Sequence, residues 1–145
     1  MKKSIFYCFI VLAFTSCKDN ESELSYVPNL EFISISPLEI TEFKEKVSLV
    51  IKYEDNDGDL GENNPDVKNL FITDQRNGVQ YTYRIPQLSP SGSNIRITGN
   101  LEINLNSLSV VGSGTSESVI FNIYAIDRAG NQSNTITSSS IIVSK

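Results

Sequence analysis

Histidine is missing from all 145 residues. That removes the commonest general base and the commonest zinc ligand. Ser-His-Asp and Cys-His catalysis are excluded within the chain. Tryptophan, the best stacking side chain for a sugar, is missing too. The two cysteines, Cys8 and Cys17, both lie near the N-terminus. Neither can staple a domain, so the fold must be held by its core and by any bound metal. Basic residues are outnumbered, giving a formal net charge of -5. Loss of an N-terminal segment carrying Lys2 and Lys3 would leave the chain two charges more negative. Such a chain lacks the basic face that nucleic acid requires, and no nucleic-acid partner is expected. The acidity suits cation binding or plain solubility. The length is enough for one domain and too short for two comfortable ones.

The start of the chain reads as an address. Lys2 and Lys3 form a positive region, and Ile5 to Phe14 is a continuous apolar run. A membrane span needs about 20 apolar residues, so the run is too short for one. A basic start at the extreme N-terminus also argues against a buried core helix, and residues 1–16 are expected to be a secretion signal. The run closes in Ala13-Phe14-Thr15-Ser16-Cys17-Lys18. This resembles the lipobox of bacterial lipoproteins, in which a cysteine after a small residue is lipidated and becomes the new N-terminus. Phe14 is bulkier than the leucine usual in that motif. The resemblance implies that Cys17 is acylated, that Cys8 is discarded, and that the chain is anchored to a membrane by several acyl chains. Residues 17–28 then form the lipidated cysteine and a flexible linker, because Asp19, Asn20, Glu21, Ser22 and Glu23 offer too little apolar surface to fold. Charges directly after the cysteine also resemble the surface-export signals of Bacteroidetes lipoproteins, although a solvated linker uses the same letters.

From Asn29 to Lys145 the composition changes. Short β-branched and aromatic runs alternate with polar ones, and no stretch holds a helical period over a dozen residues. Strands are expected over 30–36, 46–53, 69–74, 80–85, 95–105, 118–126 and 135–143. Val47, Leu49, Ile51 and Tyr53 share one face of the second. In the sixth, Val119, Phe121, Ile123 and Ala125 form one face while Ile120, Tyr124 and Ile126 make the other apolar too. That pattern suits a central strand covered on both sides, or an exposed patch. Pro37 ends the first strand, because proline cannot donate to a ladder. Arg76-Asn77-Gly78 is a hairpin signal. Seven or so short strands with regular turns predict an all-β, Ig-like antiparallel sandwich over residues 29–145.

The chemistry concentrates in Asp55-Asn56-Asp57-Gly58-Asp59-Leu60-Gly61. Alternate residues of a turn can aim their carboxylates at one centre. Three such charges about 5 Å apart repel by a few kcal/mol per pair at an effective dielectric near 20. A hard divalent cation relieves this, and Ca2+ accepts six to eight oxygens in flexible geometry. Asp55, Asp57 and Asp59 match positions one, three and five of a helix-loop-helix calcium loop, with Asp66 at position twelve. The match then fails, because Leu60 stands where that motif needs glycine and the flanks read as strands. The expectation is a calcium loop on a sandwich; a solvated acidic turn is the simpler alternative. In an Ig-like sandwich the loops after the second and sixth strands share one end. This places Asp127 and Asn131 near the acidic loop, unless Asp127 only caps its own turn. Glu54, Glu62 and Asp66 are further candidate ligands, and Arg128 could pair with an acidic neighbour.

Ile-Ser-Pro, Tyr53 to Gly61, and the closing Ile126-Asp127-Arg128-Ala129-Gly130-Asn131 together resemble the small lipoproteins of Bacteroidetes with one Ig-like domain. The Asp-x-Ala-Gly-Asn turn also recurs before the last strand of bacterial extracellular Ig-like modules. The resemblance covers nearly the whole chain. It implies an outer-membrane or cell-surface location and a sandwich fold, and it implies no activity. The expected function is therefore a non-enzymatic, lipid-anchored envelope module stabilised by Ca2+, with an envelope protein or a glycan as partner. The alternative is a glycan-binding accessory module for polysaccharide capture. It would use Tyr81, Tyr83 and Tyr124 as stacking rings, although a Tyr81/Tyr83 pair on one strand face is also ordinary cross-strand packing. Paired carboxylates such as Glu54 and Asp59 could serve a hydrolase, but a histidine-free sandwich is a poor host for one.

Overall fold

The computed structural model describes residues 25–145. The signal, Cys17 and most of the linker lie outside the described residues. Ten strands follow in order: β1 (Asn29–Ser36), β2 (Glu39–Thr41), β3 (Val47–Asp55), β4 (Leu70–Asp74), β5 (Gln80–Tyr83), β6 (Ile97–Leu105), β7 (Ser116–Val119), β8 (Phe121–Ala125), β9 (Ile136–Thr137) and β10 (Ile141–Ser144). The protein is an all-β, Ig-like sandwich, with no helix among the described residues.

One layer has the order β1-β3-β6, and every pairing in it is antiparallel. The facing layer is β5-β4-β8-β9, continued by β2-β10-β7. Period-two alternation explains the layering. Along β3, Val47, Leu49, Ile51 and Tyr53 are buried while the residues between them face outward. Opposite them, Leu70, Ile72, Phe121, Ile123, Ile141 and Val143 complete the core.

All seven expected strands exist, but three devices raise the count to ten. Pro37 does end β1, and the chain then crosses layers so that β2 pairs with β10 in parallel. This short strand has too few residues to carry a period. The sixth expected strand breaks at Ile120 and the seventh over 138–140. A buried serine bridges this break. Ser138 N donates to Phe121 O at 2.9 Å, and Ser138 Oγ accepts from Phe121 N at 3.0 Å. Ser133 repeats the arrangement at the other end of β8, with its Oγ accepting from Ala125 N at 2.9 Å. The two serines thus satisfy backbone groups that the interrupted ladder would otherwise leave bare.

Candidate metal centre

The alternation along β3 does not stop with its apolar residues. Asp55 is the next inward position after Tyr53, and it has no solvent exposure. Glu54 points the opposite way and pairs with Arg96, Nη2 to Oε1 at 2.6 Å. The strand period therefore separates Glu54 from the site that Asp55 enters.

After Asp55 the chain folds into a tight loop. Asp55 Oδ2 accepts from Leu60 N at 2.7 Å, closing the loop on itself. Leu60 is fully buried and plugs the loop into the core. This is the physical reason why a leucine stands where the helix-loop-helix pattern needs glycine. Gly58 adopts φ +74°, and a Cβ there would collide with the Ile95 carbonyl oxygen. Two further groups grip the loop. Ser89 Oγ donates to Gly58 O. The Arg128 guanidinium donates to Gly61 O at 2.8 Å and to Gly58 O at 3.3 Å. The sequence offers an acidic neighbour as a partner for Arg128; the hydrogen bonds of its guanidinium go to backbone carbonyls, while its charge adds to the Asn64 N hydrogen bond in holding the Glu62 carboxyl low. Position along the chain gives no signal for this, because the two segments are almost 70 residues apart.

The result is a cluster of three carboxylates. Asp55, Asp57 and Asp59 each offer an oxygen, all within 4.8 Å of one another, and such a group can hold a metal ion. Oδ1 of each is buried and has no hydrogen-bond partner. Buried carboxylate oxygens are almost always partnered. The three orphaned oxygens belong to the same three residues whose carboxylates could hold a metal ion. The electrostatics agree. Burial pushes the Asp59 carboxyl up to about 6, helped by the negative charges of Asp127, Asp57 and Asp55 and opposed by the hydrogen bond from Ala129 N. Asp55 is also raised, first by burial, against the pull of Leu60 N, with Asp57 and Asp127 adding to the rise.

The topology brings the closing turn to this loop as expected. Arg128 N donates to Asp59 O at 3.3 Å, and Ala129 N donates to Asp59 Oδ2 at 3.0 Å. Asp127 is buried beside the cluster, close enough for its charge to act on Asp55 and Asp59. Both its carboxylate oxygens are engaged by Asn131, through N to Oδ1 at 2.8 Å and Nδ2 to Oδ2 at 2.9 Å. Asp127 therefore does close its own turn, and Asn131 commits its side-chain amide nitrogen to it. Neither belongs to the orphan trio. Glu62 is diverted as well. Its Oε1 accepts from Asn63 N at 2.8 Å and Asn64 N at 3.0 Å, and these bonds hold it below the usual carboxylate range. Asp66 is exposed in the next turn.

The tyrosines divide between the two faces of the second layer. Tyr81 and Tyr83 sit opposite Ile72 and Leu70 and pack against the core. Tyr81 meets Phe121 edge-on, and Tyr83 Oη donates to Asn104 O at 3.1 Å. Both rings are half-buried and pack on the core, and Tyr83 also lines an open pocket of about 240 Å³ with Arg84, Glu102 and Asn104. Tyr124 lies on the outer face, half-buried, stacked on Phe71 with centroids 4.9 Å apart and planes 15° apart. Comparison with family models, curated proteins and solved structures gives no match.

Proposed function

We propose that Asp55, Asp57 and Asp59 bind Ca2+, and that the protein is a non-enzymatic, lipid-anchored envelope module whose acidic end is rigidified by that ion. The three orphaned, buried Oδ1 atoms carry this reading. Carboxylates alone are hard donors, which suits Ca2+ rather than zinc or copper. All three oxygens lie within 4.8 Å of one another, close enough to share one ion that binds at about 2.4 Å. Backbone carbonyls and water would fill the remaining positions. The ion would relieve the repulsion among the three charges and pin the turn that carries Arg128 and Ala129. The address, residues 1–28 with Cys17 as the acylated residue, comes from the sequence alone and belongs to the same proposal.

Thermal unfolding with calcium and then with excess chelator tests the metal. An ion at 100 times its dissociation constant adds about 2.7 kcal/mol, which is roughly 5–15 °C in Tm for a domain of this size. Asp57→Asn should abolish the difference. Equal Tm values in both conditions, with no heat of binding by calorimetry, would sink the calcium reading.

A glycan-binding role keeps one observation in its favour, the half-exposed Phe71–Tyr124 stack on the outer face. The stack spends one face of each ring on the other, which leaves less area for a sugar. A glycan array with Tyr124→Ala as control distinguishes this reading.

A further inference from the structure

Asn56 separates Asp55 from Asp57, and its side chain reaches outside the loop. Its Nδ2 donates to Ser25 O at 2.6 Å. Ser25–Pro28 is the approach to β1, and its other side-chain bond is internal, Val27 N to Ser25 Oγ at 3.2 Å. Tyr26 and Val27 are exposed, and only Pro28 is buried. The segment, here the strap, lines an open pocket of about 390 Å³ together with Glu54, Asn56 and Asn134. Its neighbour downstream is firmly held, because Asn134 both accepts from Leu30 N at 2.7 Å and donates to Leu30 O at 2.9 Å. Upstream of Asn29, the Asn56 amide is the hydrogen bond that joins the strap to the rest of the described domain.

We propose that metal binding by Asp55, Asp57 and Asp59 latches the strap Ser25–Pro28 onto the domain through Asn56, and that loss of the metal releases it. The proposal rests on the calcium reading above. An ion held by the residues on both sides of Asn56 fixes its backbone and so fixes where its amide points. Without the ion, three converging carboxylates with unpartnered oxygens push the loop apart, and the short donor distance to Ser25 is lost. The angle at which the chain leaves the domain would then follow the calcium concentration.

Hydrogen exchange on the full-length chain in detergent tests this, with calcium as the probe and binding read separately by calorimetry. The Val27 amide is the one strap amide that holds a hydrogen bond, to Ser25 Oγ, and so reports whether Ser25 stays in place; it should exchange roughly three- to tenfold faster in chelator. In Asn56→Ala the Val27 amide should exchange fast in both conditions while calcium still binds. Protection of the β3 and β6 amides reports that the variant is folded. If it is not, Asn56→Leu, which keeps the shape, adds no charge and removes the donor, takes its place. Calcium binding that leaves Val27 exchange unchanged overturns the latch and leaves the metal site standing. Absence of any binding overturns both.

Discussion

Arg128 donates to the carbonyl oxygen of Gly61 at 2.8 Å and so ties the turn after β8 to the acidic loop after β3. The guanidinium acts here as a backbone clamp. Its fork spans two carbonyls of one loop, which a lysine cannot match. Arg128→Ala should cost on the order of 2 kcal/mol for two charge-assisted bonds and should weaken calcium binding. Arg128→Lys should recover only part of either. Tm and calorimetric titration of the three proteins check this.

Gly58 and Gly78 share a left-handed backbone, at φ +74° and +73°, but differ in what surrounds them. A Cβ at Gly78 meets nothing within 4 Å, whereas one at Gly58 strikes the Ile95 carbonyl. Gly78→Ala should cost about 1 kcal/mol of conformational strain. Gly58→Ala should cost about 2–3 kcal/mol or more and lower calcium affinity as well. Urea unfolding of both variants separates strain from collision; equal costs would mean that Ile95 moves aside.

The metal-free and metal-bound proteins should respond to pH in opposite directions. The folded-state carboxyl of Asp59 is raised to about 6 from 3.8, and that of Asp55 is raised too. The folded state therefore holds these protons more tightly than the unfolded chain. In chelator, this contribution to stability is fully present below pH 3.8 and is lost as pH rises through about 6. With calcium the proton is a competitor, so affinity should fall as pH drops below about 6. Tm against pH, with and without calcium, gives two curves that converge on the acid side.

At the opposite end of the sandwich, Asp74 is fully buried and accepts from Arg76 at 2.7 Å, while Arg76 also meets Glu117 at 2.9 Å. Asp74→Ala leaves a largely buried guanidinium short of its main partner and should cost on the order of 3 kcal/mol. Because the site is remote from the acidic loop, the calcium-induced rise in Tm should survive. A lost calcium response would show that the two ends are coupled.

The sequence by itself determined the strand-rich class, most strand positions, the acidic loop and its meeting with the closing turn. These are local signals, or follow from the common connectivity of a sandwich. The β3 alternation from Val47 carries straight through Asp55 and Glu54 and so buries the first and turns the second outward, although the sequence reading ends the strand at Tyr53 and counts Glu54 among the candidate ligands. Only the tertiary structure decided which acidic groups converge. Asp127, Asn131 and Glu62 sit close in chain or space to the trio, yet Asp127 is bonded by Asn131 and Glu62 Oε1 by Asn63 and Asn64, partners that no spacing rule reveals. The same holds for Arg128 and Asn56, whose partners lie 67 and 31 residues away. A side chain's role there depends on which carbonyl lies within three ångströms of it, and only the packed chain fixes that.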